Sequence, residues 1–254
     1  MPEGPEISYM TYYFNKKFKN TILKNIKIKG GRYSRHPVSP LFDVFLKKLP
    51  SKIKNILNKG KFIYIKFTDN YNFGIKLNYA HLVEEDFKHS NIEFITNKGS
   101  FYIEDLRNFG TISILDDSQL ESILNQIGPD LIHDKISFSE YKKVMDKHPK
   151  MKIGQFLIEQ KYFSGVGNYV RSEVLYEAKI SPFRHIKDLT QLEKKTIFKH
   201  LNKVLHKAYQ LLLKKQQHYP LKVYRQKITP KGEKVISERL EKNRNIYYVP
   251  EVQK

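Results

Sequence analysis

The chain is 254 residues long, 40% hydrophobic and 28% charged, enough apolar material for one sizeable core or two modest ones and too much for an intrinsically disordered polypeptide. Lys and Arg number 46 against 26 Asp and Glu, a formal charge of +20, which suits a polyanionic partner; nucleic acid is the commonest, because neutralising its phosphates releases condensed counterions. Cysteine is absent, which excludes disulfides, thiolate nucleophiles and Cys-ligated zinc.

Charge alone does not settle the partner, since abundant Lys, Ile and Asn also follow from AT-rich coding. No two histidines stand at i,i+3 or i,i+4, and His200 and His206, six apart on one expected helix, point to different faces, so no metal and no cofactor are expected. The N-terminus carries no basic segment leading into an apolar run, and no stretch approaches a membrane span. An intracellular, soluble protein without membrane contact is therefore expected.

In chain order, Ile7, Met10, Phe14 and Phe18 stand at helical spacing and predict a helix over 5–18, with prolines only at its start. Runs rich in Ile, Phe, Tyr and Val at 21–28, 62–67, 73–79, 91–95, 101–104 and 111–115 predict six strands, and so a sandwich. After Asp116 and Asp117 the texture turns helical, with Gly128-Pro129-Asp130 as punctuation between two lobes. A long helix is predicted over 190–214, where Ile197, Leu201, Val204, Leu205, Ala208, Leu211 and Leu212 make one apolar stripe, read as core. Two short strand-like runs, 234–236 and 246–249, predict a small terminal hairpin.

Candidate chemistry begins at the N-terminus. Removal of Met1 would leave Pro2 with a secondary amine, and an α-amino group titrates at about 7.7 to 8.0, leaving a neutral nucleophilic fraction at physiological pH. Such an amine can attack a sugar C1′ and form an iminium Schiff base, with Glu3 beside it to move protons. Taken alone, Pro2 and Glu3 read more simply as the opening of a helix.

Five segments, in order, change that balance. They are Pro2-Glu3-Gly4-Pro5-Glu6; Lys59-Gly60-Lys61-Phe62; Asp105-Leu106-Arg107-Asn108-Phe109-Gly110; the run from Leu157 through Ser164-Gly165-Val166-Gly167-Asn168-Tyr169 to Arg171-Ser172-Glu173; and the tail from Asn243-Arg244 to Val249-Pro250-Glu251-Val252-Gln253. Together they resemble the formamidopyrimidine glycosylase/endonuclease VIII (Fpg/Nei) family over nearly the whole chain. The resemblance implies an α+β fold: an N-terminal two-layer β-sandwich with a terminal helix over 1–116, a linker over 117–130, a helical domain with a helix-two-turn-helix over 131–216, and a finger hairpin over 217–254. Valines stand where the family's finger ends in two cysteines, and Lys231 and Lys234 lie near the other two ligand positions. This resembles the zincless finger of animal and giant-virus Nei-like enzymes.

The roles implied by the resemblance are specific. Pro2 is the nucleophile, Glu3 protonates the opening deoxyribose, Glu6 lies beside them, and Glu173 faces the catalytic pocket and orients the N-terminus; Lys61 completes the catalytic set. Lys61, Asn168 and Arg244 bind phosphates flanking the lesion, Asn168 opening a helix whose free amides and positive end suit a phosphate. The register of glycine, lysine, aromatic and strand favours Lys61 over Lys59. Arg107 and Phe109 fill the hole left by an everted nucleotide, offsetting part of a flipping cost of a few kcal/mol, and Tyr79 is a third wedge matched only loosely. The implied protein is a monomeric bifunctional DNA glycosylase/AP lyase of base excision repair. It acts on double-stranded DNA containing oxidised bases or abasic sites, with single-stranded or bubble DNA as further substrate forms, and removes oxidised pyrimidines and hydantoins with β,δ-elimination. The alternatives are an Fpg-type 8-oxoguanine/formamidopyrimidine glycosylase and a non-catalytic damaged-DNA-binding scaffold.

Overall fold

The computed structural model describes residues 2–36, 38, 40–215, 218–241 and 244–254. Its contacts divide the chain into two compact units, one holding Pro2 and Glu6–Gln126, the other Glu3–Pro5 and Ile127–Lys254.

Helix α1 (Gly4–Phe18), which belongs to the first unit from Glu6 onward, buries the expected stripe of Ile7, Met10, Phe14 and Phe18, and the rings of Phe14 and Phe18 lie against Phe101. Strand β1 (Ile22–Ile28), a five-residue helix α2 (Phe42–Leu46) and strands β2 (Ser51–Lys59), β3 (Phe62–Phe67), β4 (Tyr71–Lys76), β5 (His81–Val83), β6 (Ser90–Thr96), β7 (Gly99–Glu104) and β8 (Thr111–Asp116) follow. All pairings are antiparallel, in the order β5-β7-β6-β1-β2-β3-β4-β8. The join between β1 and β2 is short, Ile22 with Lys52 and Leu23 with Ser51. The fold is an antiparallel β-sandwich, its layers β5-β7-β6-β1 and β2-β3-β4-β8, with Ile26, Ile53, Ile65, Phe73, Phe94 and Phe101 in its core.

Among the described residues, eight strands stand where six were expected. The added β2 holds Lys52, Lys54 and Lys59, and a register shift between Ile53 and Asn55 puts its buried isoleucines, Ile53 and Ile56, three apart. That irregularity hides the period-two signal. Residues Asp117–Gln126 of the expected linker form a helix, α3, belonging to the first unit.

The second unit is helical: α4 (Phe138–Asp146), α5 (Ile153–Phe156), α6 (Asn168–Ala178) and α7 (Gln191–Leu213). Capping boxes start two of them, Ser137 with Glu140 at α4 and Thr190 with Glu193 at α7, each satisfying orphan amides reciprocally. Helix α7 buries Ile197, Leu201, Val204, Leu205 and Ala208, most of its expected stripe; Leu211 and Leu212 are only half-buried. Helix α6 is buried from Tyr169 through Tyr176, the mark of a central helix rather than an amphipathic one. Strands β9 (Ile236–Glu241) and β10 (Arg244–Tyr248) form the expected hairpin, later in its first strand than predicted. Tyr176, Val223, Val235 and Val249 make a small apolar cluster beside it. Gln216 and Gln217, at the expected domain boundary, and Asn243 of the tail motif lie outside the described residues.

Candidate active-site and nucleic-acid-binding residues

A close approach of two glycines seats the N-terminal segment. The Gly4 amide donates to the Gly165 carbonyl at 2.7 Å, and a Cβ on Gly4 would lie 2.7 Å from that oxygen, so no larger residue fits without displacing backbone. Gly165 has φ +99°, conformationally a glycine position. Glu3 is 1% exposed. Its Oε1 accepts from the Tyr169 amide at 2.8 Å and its Oε2 from the Val170 amide at 3.2 Å. These are orphan donors of the first turn of α6, where the helix dipole also favours a negative charge. The helix start therefore does not offer all its amides to a phosphate, as the sequence suggested: a buried carboxylate of the chain itself takes two of them. Pro2, immediately before Glu3, is buried in the first unit, and Met1 lies outside the described residues.

Asn168 opens α6 as expected, but its side chain is turned to the hairpin: Nδ2 donates to the Asn245 carbonyl at 2.9 Å and Oδ1 accepts from Arg171 Nη2. Arg244, the neighbour of Asn245, is exposed at the start of β10. Glu173 departs from its expected orientation toward the N-terminus. It is 0% exposed, and its two oxygens accept from the amides of Lys222, Val223 and Tyr224 at 2.9 to 3.0 Å. Burial raises its pKa, and the three amides act against that rise. The physical reason for the difference is that the chain after α7 brings three consecutive amides to this buried site, and a carboxylate is the side chain that can satisfy them together.

In the first unit, Gly60 and Lys61 form the two-residue turn between β2 and β3, with Gly60 at φ 55°. Lys59 donates to the Leu124 carbonyl at 2.8 Å, which ties it to α3 and leaves Lys61 at the tip. Glu6 sits half-buried in the first turn of α1. The three wedge candidates come together: the Arg107 guanidinium lies 4.4 Å over the Tyr79 ring and the Tyr79 and Phe109 rings are 6.0 Å apart. Tyr79 and Phe109 are 37% and 54% exposed, unusual for aromatic side chains grouped in this way. Two left-handed asparagines shape the cluster, Asn78 (φ 52°), which donates to the Phe109 carbonyl at 2.6 Å, and Asn108 (φ 56°). Asp105 closes the loop by accepting from the Gly110 amide at 2.6 Å.

Sequence reasoning assigned no role to Arg171, which is fully buried. The apolar residues Tyr169, Val170, Val174 and Leu175 around it are the available signal, and the polar Ser172 and Glu173 directly after it obscure that signal.

Fold and residues thus define, in one unit, an exposed aromatic and arginine cluster on an antiparallel β-sandwich and, in the other, a central helix whose start holds a buried glutamate and whose side holds a hairpin. Residues 1–112 match the formamidopyrimidine-DNA glycosylase N-terminal domain and residues 127–217 its H2TH domain. A formamidopyrimidine-DNA glycosylase of Wolbachia sp. subsp. Drosophila simulans is 31% identical over 201 residues, 76% of this chain and 72% of the relative. One from Streptococcus agalactiae is 28% identical over 220 residues, covering 81% and 77%. Among solved structures, the Lactococcus lactis enzyme non-covalently bound to DNA containing an AP site superimposes with a TM-score of 0.84 at 21% identity, and MutM (Fpg) from Thermus thermophilus with 0.83 at 20%, each covering 98% or more of both chains. The chain belongs to the formamidopyrimidine-DNA glycosylase family, whose members are DNA glycosylases with AP lyase activity.

Proposed function

We propose that the chain is a bifunctional DNA glycosylase/AP lyase of base excision repair whose nucleophile is Pro2 once Met1 is removed. The observation that carries this reading is Glu3, a buried carboxylate fixed by the first turn of α6 and joined directly to Pro2. The Pro2 nitrogen forms a bond to C1′ as the glycosidic bond breaks and the base leaves with its electron pair; the proton released from the Pro2 nitrogen passes through the Glu3 carboxylate to the ring oxygen as the sugar opens to the iminium. Loss of a proton from C2′ expels the 3′ phosphate, and a second elimination expels the 5′ phosphate. Glu6 and Lys61 complete the catalytic set, with Glu173 as its structural support. Lys61, Asn168 and Arg244 contact phosphates, while Arg107, Phe109 and Tyr79 occupy the space of the everted base.

The substrate is double-stranded DNA with oxidised bases or abasic sites, and the solved Lactococcus lactis complex with AP-site DNA supports this ligand class. We assign a Nei-like preference for oxidised pyrimidines and hydantoins. Only residues 214–221 separate α7 from the segment pinned by Glu173, and Tyr219 and Leu221 among them pack on the helical core, which leaves little chain to cover an everted purine. The hairpin is read as a zincless finger, with Val249 buried where the family places a cysteine. The relatives' name, formamidopyrimidine-DNA glycosylase, favours a second reading, an Fpg-type preference for 8-oxoguanine and formamidopyrimidines.

Borohydride trapping of untagged, Met-processed protein on duplexes carrying an abasic site, 5-hydroxyuracil, a hydantoin or 8-oxoguanine separates the readings. A covalent adduct lost in Pro2→Gly and fastest on the pyrimidine or hydantoin is expected. An adduct fastest on 8-oxoguanine moves the lesion to the second reading, and tight binding without any adduct leaves a non-catalytic scaffold.

A further inference from the structure

Arg171 is among the largest fully buried side chains in the protein. Burying a guanidinium is costly unless its donors are answered, so what it binds indicates what it is kept for. Its Nη1 donates to the Gly154 carbonyl of α5 at 2.9 Å; its Nη2 donates to Asn168 Oδ1 and, at 3.4 Å, reaches toward the Asn245 carbonyl. Asn168 Nδ2 donates to the same Asn245 carbonyl. One buried cation therefore joins α5, the first residue of α6 and the hairpin strand bearing Arg244.

Further along α6 the contacts continue on the same side of the helix. Ser172 Oγ accepts from the Tyr247 amide at 3.4 Å, and Tyr176 donates to Glu233, which also binds the Thr229 hydroxyl. Positions 168, 171, 172 and 176 follow helical spacing, so one side of α6 holds the hairpin from its strand β10 to the loop before β9. Of these residues, only Arg171 fixes both Asn168 and the neighbour of Arg244.

We infer that Arg171 is a positioning residue that aligns Asn168 and Arg244 as one phosphate-binding unit, without itself touching DNA. The inference rests on the proposed function, which makes DNA the ligand. It accounts for a cation being kept inside the helical core, where a methionine of similar length would satisfy packing alone.

The test uses the full Met-processed chain and a duplex with an uncleavable tetrahydrofuran abasic analogue. Dissociation constants are measured across a salt series for wild type, Arg171→Met, Arg171→Lys, Arg244→Gln and the Arg171→Met/Arg244→Gln double variant. Each lost phosphate contact lowers the slope of log K against log salt by about one and weakens binding uniformly across sequences. Arg171→Met is expected to weaken binding roughly tenfold with a slope lower by about one, as Arg244→Gln does, and the double variant should be within about twofold of either single one. Arg171→Lys, which keeps a buried cation and the fold but cannot bridge three acceptors, should show the same loss with a thermal midpoint close to wild type. Wild-type affinity and slope in folded Arg171→Lys, or losses that multiply in the double variant, overturn the inference. Failure of the wild type itself to bind the duplex instead overturns the proposed function.

Discussion

Gly167→Ala isolates the seating of Glu3. The backbone at Gly167, φ −128° and ψ −157°, is extended and open to any residue, so no conformational strain attends the change. The added Cβ would lie 2.2 Å from Glu3 Cδ and 2.4 and 2.5 Å from its oxygens, where carbon contacts are comfortable near 3.5 Å or beyond. The carboxylate must therefore retreat by about 1 Å, further than its bonds of 2.8 and 3.2 Å to Tyr169 and Val170 can stretch. Two hydrogen bonds to a charged group are worth about 1.5–3 kcal/mol each, with up to about 2 kcal/mol more from the helix end. Swinging of the side chain and entry of water recover part of this, so a net loss of about 2–4 kcal/mol is expected. Displacement of a reacting group by about 1 Å costs on the order of 100-fold in rate, and the trapping rate on abasic duplex should fall accordingly. Denaturant unfolding of wild type, Gly167→Ala, Glu3→Ala and the double variant provides the check: once Glu3 is truncated the added methyl has nothing to strike, and its cost should fall below about 0.5 kcal/mol. A Gly167→Ala protein within about 1 kcal/mol of wild type and within threefold of its trapping rate would show that the Glu3 carboxylate is not held at this spot, as would an equal penalty in the Glu3→Ala background.

Glu173→Ala strands three amides, with Val223 wholly buried, and should lower stability by about 3–5 kcal/mol; thermal unfolding measures the loss, and proteolytic nicking in 214–221 should rise with it. Glu193, which caps α7, is held down to about 2 chiefly by its hydrogen bond with Arg184, against a usual value of 4.5. The folded carboxyl thus binds its proton less readily than the unfolded one, so its stabilisation is complete above about pH 4.5 and lost as pH falls toward 2. Acid titration of stability should show wild type and Glu193→Gln, which keeps the cap but loses the charge facing Arg184 and the helix start, separated by about 1 kcal/mol at neutral pH and converging across that window.

Elements with an unbroken period were legible in the sequence: the α1 stripe from Ile7 to Phe18 and most of the α7 stripe are buried where 3.6-residue spacing put them. Strand β2 was not, because the shift between Ile53 and Asn55 breaks the alternation and exposed lysines fill the gaps. At the site, Arg107 and Phe109 could be read from one hexapeptide, but their meeting with Tyr79 depends on two asparagines in left-handed conformation that no spacing rule signals. Glu173 was legible as a special residue and not as to its partners, since the amides it satisfies lie 49 to 51 residues further along.

Helix α6 carries an electrostatic consequence for DNA binding. A helix start ordinarily presents the equivalent of about half a positive charge and unsatisfied amides to an anion. Here the Tyr169 and Val170 amides are spent on Glu3, so the helix end is largely neutralised from within. With two of the four amides taken, a phosphate at this position relies more heavily on side chains, and under the proposed function those are Asn168 and Arg244, with Lys61 contributing from the sandwich. Asn168 carries no charge and already gives one donor to the Asn245 carbonyl, so it sets geometry more than affinity. Charge neutralisation falls to Arg244 and Lys61, and each should account for about one unit of the salt slope, whereas Asn168→Ala should weaken binding with almost no change in slope.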